Sequence, residues 1–170
     1  AVLGDGCLSV NNWRRQTAKQ IIFVSKDREF AEAFNQNICR LLKKNEYYAM
    51  QKTRENHLRV VACSSHLYDF LKNGLGKLKE YIEQFPSEFV GGLVDADGSV
   101  SIVDDYHSMI RISNSDLSLL KLTRKLLQEK LQIQSELYSS DRRGTSHSQI
   151  NGRPIIARKI MYEVRIHKKK

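Results

Sequence analysis

Long apolar runs are missing from this chain of 170 residues. None approaches the roughly 20 residues that a membrane-crossing helix needs, so no transmembrane role is expected. The opening, Ala1-Val2-Leu3-Gly4-Asp5, lacks the basic and apolar regions of a secretion signal. A soluble intracellular protein is therefore expected, in the cytoplasm or nucleoid of a prokaryote or in an organelle matrix. Cysteine is scarce: Cys7, Cys39 and Cys63 are widely spaced and form no Cys-x-x-Cys. They read as small core or surface residues in a reducing compartment. The histidines, His57, His66, His107, His147 and His167, make no His-x-x-x-His pair and no cluster of zinc spacing. A zinc centre is not expected.

Acidic residues are also in deficit. Asp and Glu number 19 against 28 Lys and Arg, a net charge of +9. An excess of this size favours polyanions, nucleic acid before anionic membrane. A membrane-surface protein would carry its cations on the polar face of an amphipathic helix. Here the clearest helix, Asp116 to Gln132, does carry Lys121, Arg124, Lys125 and Lys130. Many cations lie instead on strand-like segments and turns, among them Arg14, Arg15, Lys19, Arg59, Arg111, Arg142, Arg143, Arg153, Arg158, Lys159 and Arg165. That distribution suits a sheet laid along a duplex.

The hydrophobic share, 41%, suffices for one compact domain or two small halves. Cys7 to Val10 and Gln20 to Ser25 alternate as strands. Asp27 is placed to cap a helix bearing Phe30, Phe34, Ile38, Leu41 and Leu42 at helical spacing. Tyr47 to Arg54 and Leu58 to Ser64 read as a hairpin, and His66 to Leu75 as a short helix ended by Gly74 and Gly76. Lys77 to Gln84 reads as a helical connector that stops before Pro86. The order then returns: strands at Val100 to Val103 and Met109 to Ser113, and a helix capped by Asp116. Strands at Ser135 to Ser140 and Ile160 to Ile166 follow, joined by a long Arg/Gly/Ser loop from Asp141 to Arg153.

The repetition extends to residues. Leu3-Gly4-Asp5-Gly6-Cys7-Leu8-Ser9-Val10 resembles Asp95-Ala96-Asp97-Gly98-Ser99-Val100-Ser101-Ile102, and Ile21 to Asp27 resembles Ile110 to Asp116. A unit of roughly 90 residues is duplicated, with residues 1–76 and 87–170 as halves and 77–86 as linker. Such a pair suits a partner that is itself nearly twofold, as duplex DNA is.

Pro86 and Ser87 start a helix that Gly98 stops, and inside it lie Gly91 and Gly92. Each glycine costs about 1 kcal/mol relative to alanine there. Close approach of a second helix is a reason to accept that cost, so Gly91 and Gly92 are expected at a helix interface. Asp97 falls at the helix C-terminus, where the macrodipole disfavours a carboxylate. Beside unpaired carbonyl oxygens it makes an oxygen-rich site for a hard divalent cation. Asp5-Gly6 repeats the arrangement. A lone Asp-Gly is an ordinary turn; two at matching places in a repeat are more than that.

Val90-Gly91-Gly92-Leu93-Val94-Asp95-Ala96-Asp97-Gly98 resembles the LAGLIDADG signature, matching it at Gly92, Leu93, Asp95, Ala96, Asp97 and Gly98. The first copy, Ala1 to Gly6, is a partial match that opens inside the motif. The resemblance to the two-motif homing endonucleases of that family covers nearly the whole chain. It implies an α+β fold: a pseudo-twofold pair of αββαββα half-domains forming a DNA-binding saddle of antiparallel strands. It implies a monomeric endonuclease that makes a double-strand break at a long, nearly palindromic site, with no obligate protein partner. An RNA-binding intron maturase or a non-cutting DNA binder on the same scaffold is the alternative.

By the same resemblance Asp5 and Asp97 bind metal, and the carbonyls of Gly4 and Ala96 add oxygen ligands. Asp95 is structural. The cofactor implied is Mg²⁺, with Mn²⁺ or Ca²⁺ as substitutes and Ca²⁺ non-productive. Lys26 matches a basic residue that the family places near the metal, whereas Ser115 holds the corresponding second position, so unequal cleavage of the two strands is expected. DNA reading falls to strand residues on the face away from the helices: His57 and Arg59 in the first half, and Arg111, Ser113 and Arg165 in the second. Arginine forks on such a ribbon match guanine edges. Trp13-Arg14-Arg15 and Arg142-Arg143 are read as backbone clamps in matching loops. Lys19, Arg158 and Lys159 complete the expected DNA-binding set.

Overall fold

The computed structural model describes residues 6–13, 16–104, 107–150 and 153–169. The chain divides into two compact units, Ala1–Ile82 and Glu83–Lys170. The boundary falls inside the segment expected as a linker, within a continuous helix.

In the first unit β1 (Gly6–Trp13) and β2 (Gln16–Ser25) form an antiparallel hairpin. Helix α1 (Arg28–Leu41) follows, opened by Asp27, whose carboxylate accepts the amide of Phe30 at 3.1 Å. Strands β3 (Gln51–Lys52) and β4 (Leu58–Cys63) complete a sheet of order β1-β2-β4-β3. Ile21, Phe23, Val60 and Ala62 project from one face onto Ala31, Phe34 and Ile38 of α1. Phe23 stacks on Phe34 with ring centroids 4.6 Å apart. Cys39 is buried in this core, while Cys7 and Cys63 are exposed.

Two expectations change here. The strand predicted from Tyr47 shrinks to Gln51–Lys52. The backbone of Tyr48 bonds instead to the buried amide of Asn35, which donates to the Tyr48 carbonyl at 2.7 Å and accepts from its N–H at 3.0 Å. That side chain substitutes for a neighbouring strand. The glycines expected to end the second helix open the next one instead. Helix α2 (Ser65–Lys72) stops at Asn73, and Gly74, at φ +65°, begins α3 (Gly74–Gln84).

The second unit begins with α4 (Pro86–Asp97), the glycine-bearing helix. Strands β5 (Gly98–Asp104) and β6 (His107–Asn114) pair antiparallel, and α5 (Leu117–Glu129) is capped by Asp116. β7 (Glu136–Ser140), β8 (Ser146–Ile150), β9 (Arg153–Ile156) and β10 (Met161–Lys169) follow. Ile112 and Val164 of the sheet and Leu119, Leu120, Leu122, Leu126 and Leu127 of α5 supply the buried apolar core. The sheet order, β5-β6-β10-β7, repeats that of the first unit, with β10 in the place of β4. The registers correspond as well: Gly6 opposes Phe23 as Gly98 opposes Ile112. The segment expected as a loop from Asp141 to Arg153 is not uniformly irregular, because β8 and β9 form a separate antiparallel ribbon. Among the described residues no helix is long and apolar enough to cross a membrane.

Candidate active site and nucleic-acid interface

The motif acid Asp97 is the last residue of α4, and strand β5 starts at the next residue. Gly98 permits that immediate change of direction, though not through a left-handed turn. Its backbone is extended (φ −90°, ψ 158°), and its N–H bonds to the Val94 carbonyl. A Cβ at Gly98 would lie 2.3 Å from the Val94 carbonyl oxygen, too close for any side chain. The helix therefore ends abruptly, and Asp97 stands half-buried at its foot.

Asn114, at the end of β6, donates its amide to Asp97 Oδ2 at 2.7 Å. The amide oxygen of the same side chain accepts the N–H of Asp116 at 2.8 Å, and Asp116 in turn caps α5 through Ser118 and Leu119. One amide thus ties the carboxylate at the foot of α4 to the head of α5. In the first unit Ser25 occupies the matching place and accepts the N–H of Asp27 at 3.1 Å. The sequence reading gave Asn114 no role. Its only signal is its place just before the Asp116 cap.

Across the second sheet, strand alternation puts Ser99, Ser101, Arg111, Ser113, Glu163, Arg165 and Tyr138 on the face opposite Ile112 and Val164. Arg111 and Arg165 are direct cross-strand partners. Arg165 is held by two partners: Nε and Nη2 donate to Glu163 at 3.0 and 2.8 Å, and its guanidinium lies 4.1 Å from the centre of the Tyr138 ring. Tyr138 donates its hydroxyl to Glu136, which raises its pKa. Among the described residues Arg111 donates only a long bond, 3.3 Å, to Ser101, and its buried Nε has no partner. Placing like charges opposite one another is unfavourable without an intervening anion, and donors left unpaired in this way suit an incoming acceptor.

A family model described as a LAGLIDADG-like domain matches residues 84–167. Residues 84–167 form a LAGLIDADG-like domain. An uncharacterized protein of Methanocaldococcus jannaschii, MJ0398, is 30% identical over 144 residues, covering 84% of this chain and 51% of that protein. The chain thus spans about half the length of the curated relative it matches. The homing endonuclease I-DmoI in complex with DNA and Ca superposes with a TM-score of 0.70 at 17% identity, over 97% of this chain and 78% of that one. The N-terminal LAGLIDADG domain of DUF199/WhiA superposes with a TM-score of 0.55 at 15% identity, over 97% of this chain and 70% of that one. At such identities the likeness is one of fold.

The structure brings some of the expected LAGLIDADG site residues together and leaves others apart. Asp97 and Ala96 end α4, with Asp95 exposed in its last turn. The first-copy counterparts Gly4 and Asp5 lie outside the described residues, as do Arg14 and Arg15. Gly91 is exposed and Gly92 half-buried, and a Cβ on either meets no described atom within 4 Å. The helix expected to face them comes from residues that are not described. Lys26 is exposed between β2 and the Asp27 cap.

On the first sheet Arg59 alternates with Val60 and lies on the outward face in register with Val24 and Gln51. His57 sits in the preceding turn, 3.9 Å from Glu55. Lys19 does not join that face. It shares the helix-bearing side with Ile21 and Phe23, and its ammonium bonds Asp69 of α2 at 2.7 Å. Strand parity sets this placement: Lys19 is an even number of residues from Ile21. Arg158 and Lys159 are exposed between β9 and β10. Arg142 and Arg143 do not occupy the loop that matches Arg14-Arg15, because they precede β8, whereas Arg14-Arg15 join β1 to β2. Arg143 is paired with Asp141 at 2.7 Å, and this hydrogen bond holds the Asp141 carboxyl down at about 2.

Proposed function

We propose that the chain is a divalent-metal-dependent DNA endonuclease that breaks both strands of a long, nearly palindromic duplex site. The observation that carries this reading is Asp97, a carboxylate kept half-buried at the C-terminal end of α4 and fixed by the Asn114 amide. The end of a helix dipole is a costly place for an anion, and a hard cation resolves that cost. The donors fit such an ion: the Asp97 carboxylate and the Ala96 backbone carbonyl offer oxygen alone, as Mg²⁺ takes, and Asp5 and Gly4 repeat these donor types in the sequence of the first half. When bound, Mg²⁺ activates water and stabilises the leaving oxygen in phosphodiester hydrolysis.

The chain's own residues do the rest. Asn114 orients the Asp97 carboxylate. Lys26 supplies positive charge near the reacting phosphate of one strand. The outward faces of the two sheets, through Arg59, Arg111 and Arg165, contact the duplex, where arginine either pairs with guanine edges or holds phosphates. Structures of I-DmoI in complex with DNA and Ca, with DNA and Mn, and with its target DNA and Mg support divalent metals and duplex DNA as the ligands. A non-cutting binder on this scaffold is favoured by one feature only, Ser115 in the place that Lys26 holds in the first repeat.

The test compares the parent chain with Asp97→Asn on duplexes enriched from a randomised pool in Ca²⁺. In Mg²⁺ the parent cuts both strands, and Asp97→Asn binds equally without making double-strand breaks. Binding without cleavage by the parent selects the non-cutting reading. Undiminished cutting by Asp97→Asn removes Asp97 from the active site.

A further inference from the structure

The two units differ most where the last two strands of each sheet are joined. In the first unit β3 runs into β4 through the five residues of Thr53 to His57, closed by a bond from the Thr53 N–H to the His57 carbonyl at 2.8 Å. In the second the corresponding strands, β7 and β10, are separated by residues 141–160, which build the β8–β9 ribbon. Among the described residues this ribbon is not hydrogen-bonded into either four-stranded sheet. Its base closes on itself, with Gly144 N–H to the Ala157 carbonyl at 2.9 Å and Ala157 N–H to the Thr145 carbonyl at 3.1 Å.

Charge is divided just as unevenly. The short turn holds Arg54 and Glu55, which cancel. The long connection holds Arg142, Arg143, Arg153, Arg158 and Lys159 against a single acid, Asp141, and that acid is committed to Arg143. A two-stranded ribbon has the width of the major groove; Arg153 begins β9 at its far end, and Arg142, Arg143, Arg158 and Lys159 flank its base, so cations at both ends can hold phosphates. From Thr145 to Ile150 the ribbon spans about 17 Å at the strand rise, or roughly five base pairs of duplex.

We propose that the β8–β9 ribbon is a phosphate-holding arm that lengthens the DNA contact on one side of the target only. The protected site then reaches about five base pairs farther beyond the half held by the second unit than beyond the other. Symmetry in the two sheets is thereby broken by an element outside both. This inference rests on the DNA-binding reading above.

Two variants test it. In one, residues 141–160 are replaced by Asn-Gly, which fits because Ser140 and Met161 are already paired across β7 and β10 and a two-residue turn closes such a pair. In the other, Arg153, Arg158 and Lys159 become alanine and the ribbon stays. Thermal melts establish that both fold. Hydroxyl-radical footprints are taken in Ca²⁺ on a duplex enriched by the parent from a randomised pool. The parent footprint is expected to be lopsided, and both variants lose protection on the long flank alone. The triple variant also lowers the slope of log affinity against log salt by up to about 2.7, at 0.9 per phosphate contact. A symmetric parent footprint, or footprints and salt slopes unchanged in both variants, overturns the arm while leaving the DNA reading intact. A parent that enriches no duplex overturns both.

Discussion

Gly98 shows how one missing side chain fixes the geometry of a site. Glycine in a motif ending Asp-Gly reads naturally as a left-handed helix stop. The structure gives a different reason, since the φ of −90° is open to every residue. What excludes a side chain is the Val94 carbonyl, 2.3 Å from where a Cβ would sit. That neighbour is backbone and cannot rotate away. Gly98→Ala is therefore expected to destabilise the protein by about 1–3 kcal/mol, as overpacking does, and, under the endonuclease reading, to blunt cleavage by displacing Asp97. Urea unfolding reads the first effect; a variant as stable as the parent removes the steric explanation. Residue by residue, local chemistry was legible. Asp27 and Asp116 cap the helices that they precede in sequence. Asn114 was not legible, because its partner, Asp97, is 17 positions away and a polar residue at a strand end announces no partner.

At the scale of elements, periodicity told helix from strand and failed where backbone groups found unusual partners. Leu120 and Leu127 lie in the α5 core at helical spacing. The segment before β3 has a strand-like composition, yet Asn35 takes the backbone bonds of Tyr48. Asn35→Ala leaves the Tyr48 N–H and carbonyl without those partners at a half-buried site, a loss of about 1–3 kcal/mol. Amide exchange at Tyr48 should then rise well above that of its β4 neighbours. Unchanged protection there means that Asn35 is not what holds the segment. The β8–β9 ribbon carried a signal that went unused: Asn151-Gly152, a favoured hairpin dipeptide, stands between two strand-forming stretches. The stretch Ser146–Ile150 has no apolar alternation, the pattern by which a strand is read from sequence.

For the whole molecule, the duplication was visible as repeated residues and returned as repeated strand order and register. The chemistry was not duplicated as faithfully. Lys26 faces solvent in one unit, and Ser115 holds its place in the other. Under the endonuclease reading one strand is cut more slowly, so nicked duplex accumulates before the double-strand break. Ser115→Lys should shorten the life of that nicked species in a plasmid-cleavage time course. A parent with no detectable nick, or a variant with the same lag, discounts the lysine. The cysteines bear on such experiments. Cys7 and Cys63 lie on the face of the first sheet that also carries Arg59, while Cys39 is sealed in the core. The molecule therefore holds two natural thiol reporters where a duplex would cover them, and a third that stays silent until the fold opens, so alkylation rates alone separate occupancy from unfolding.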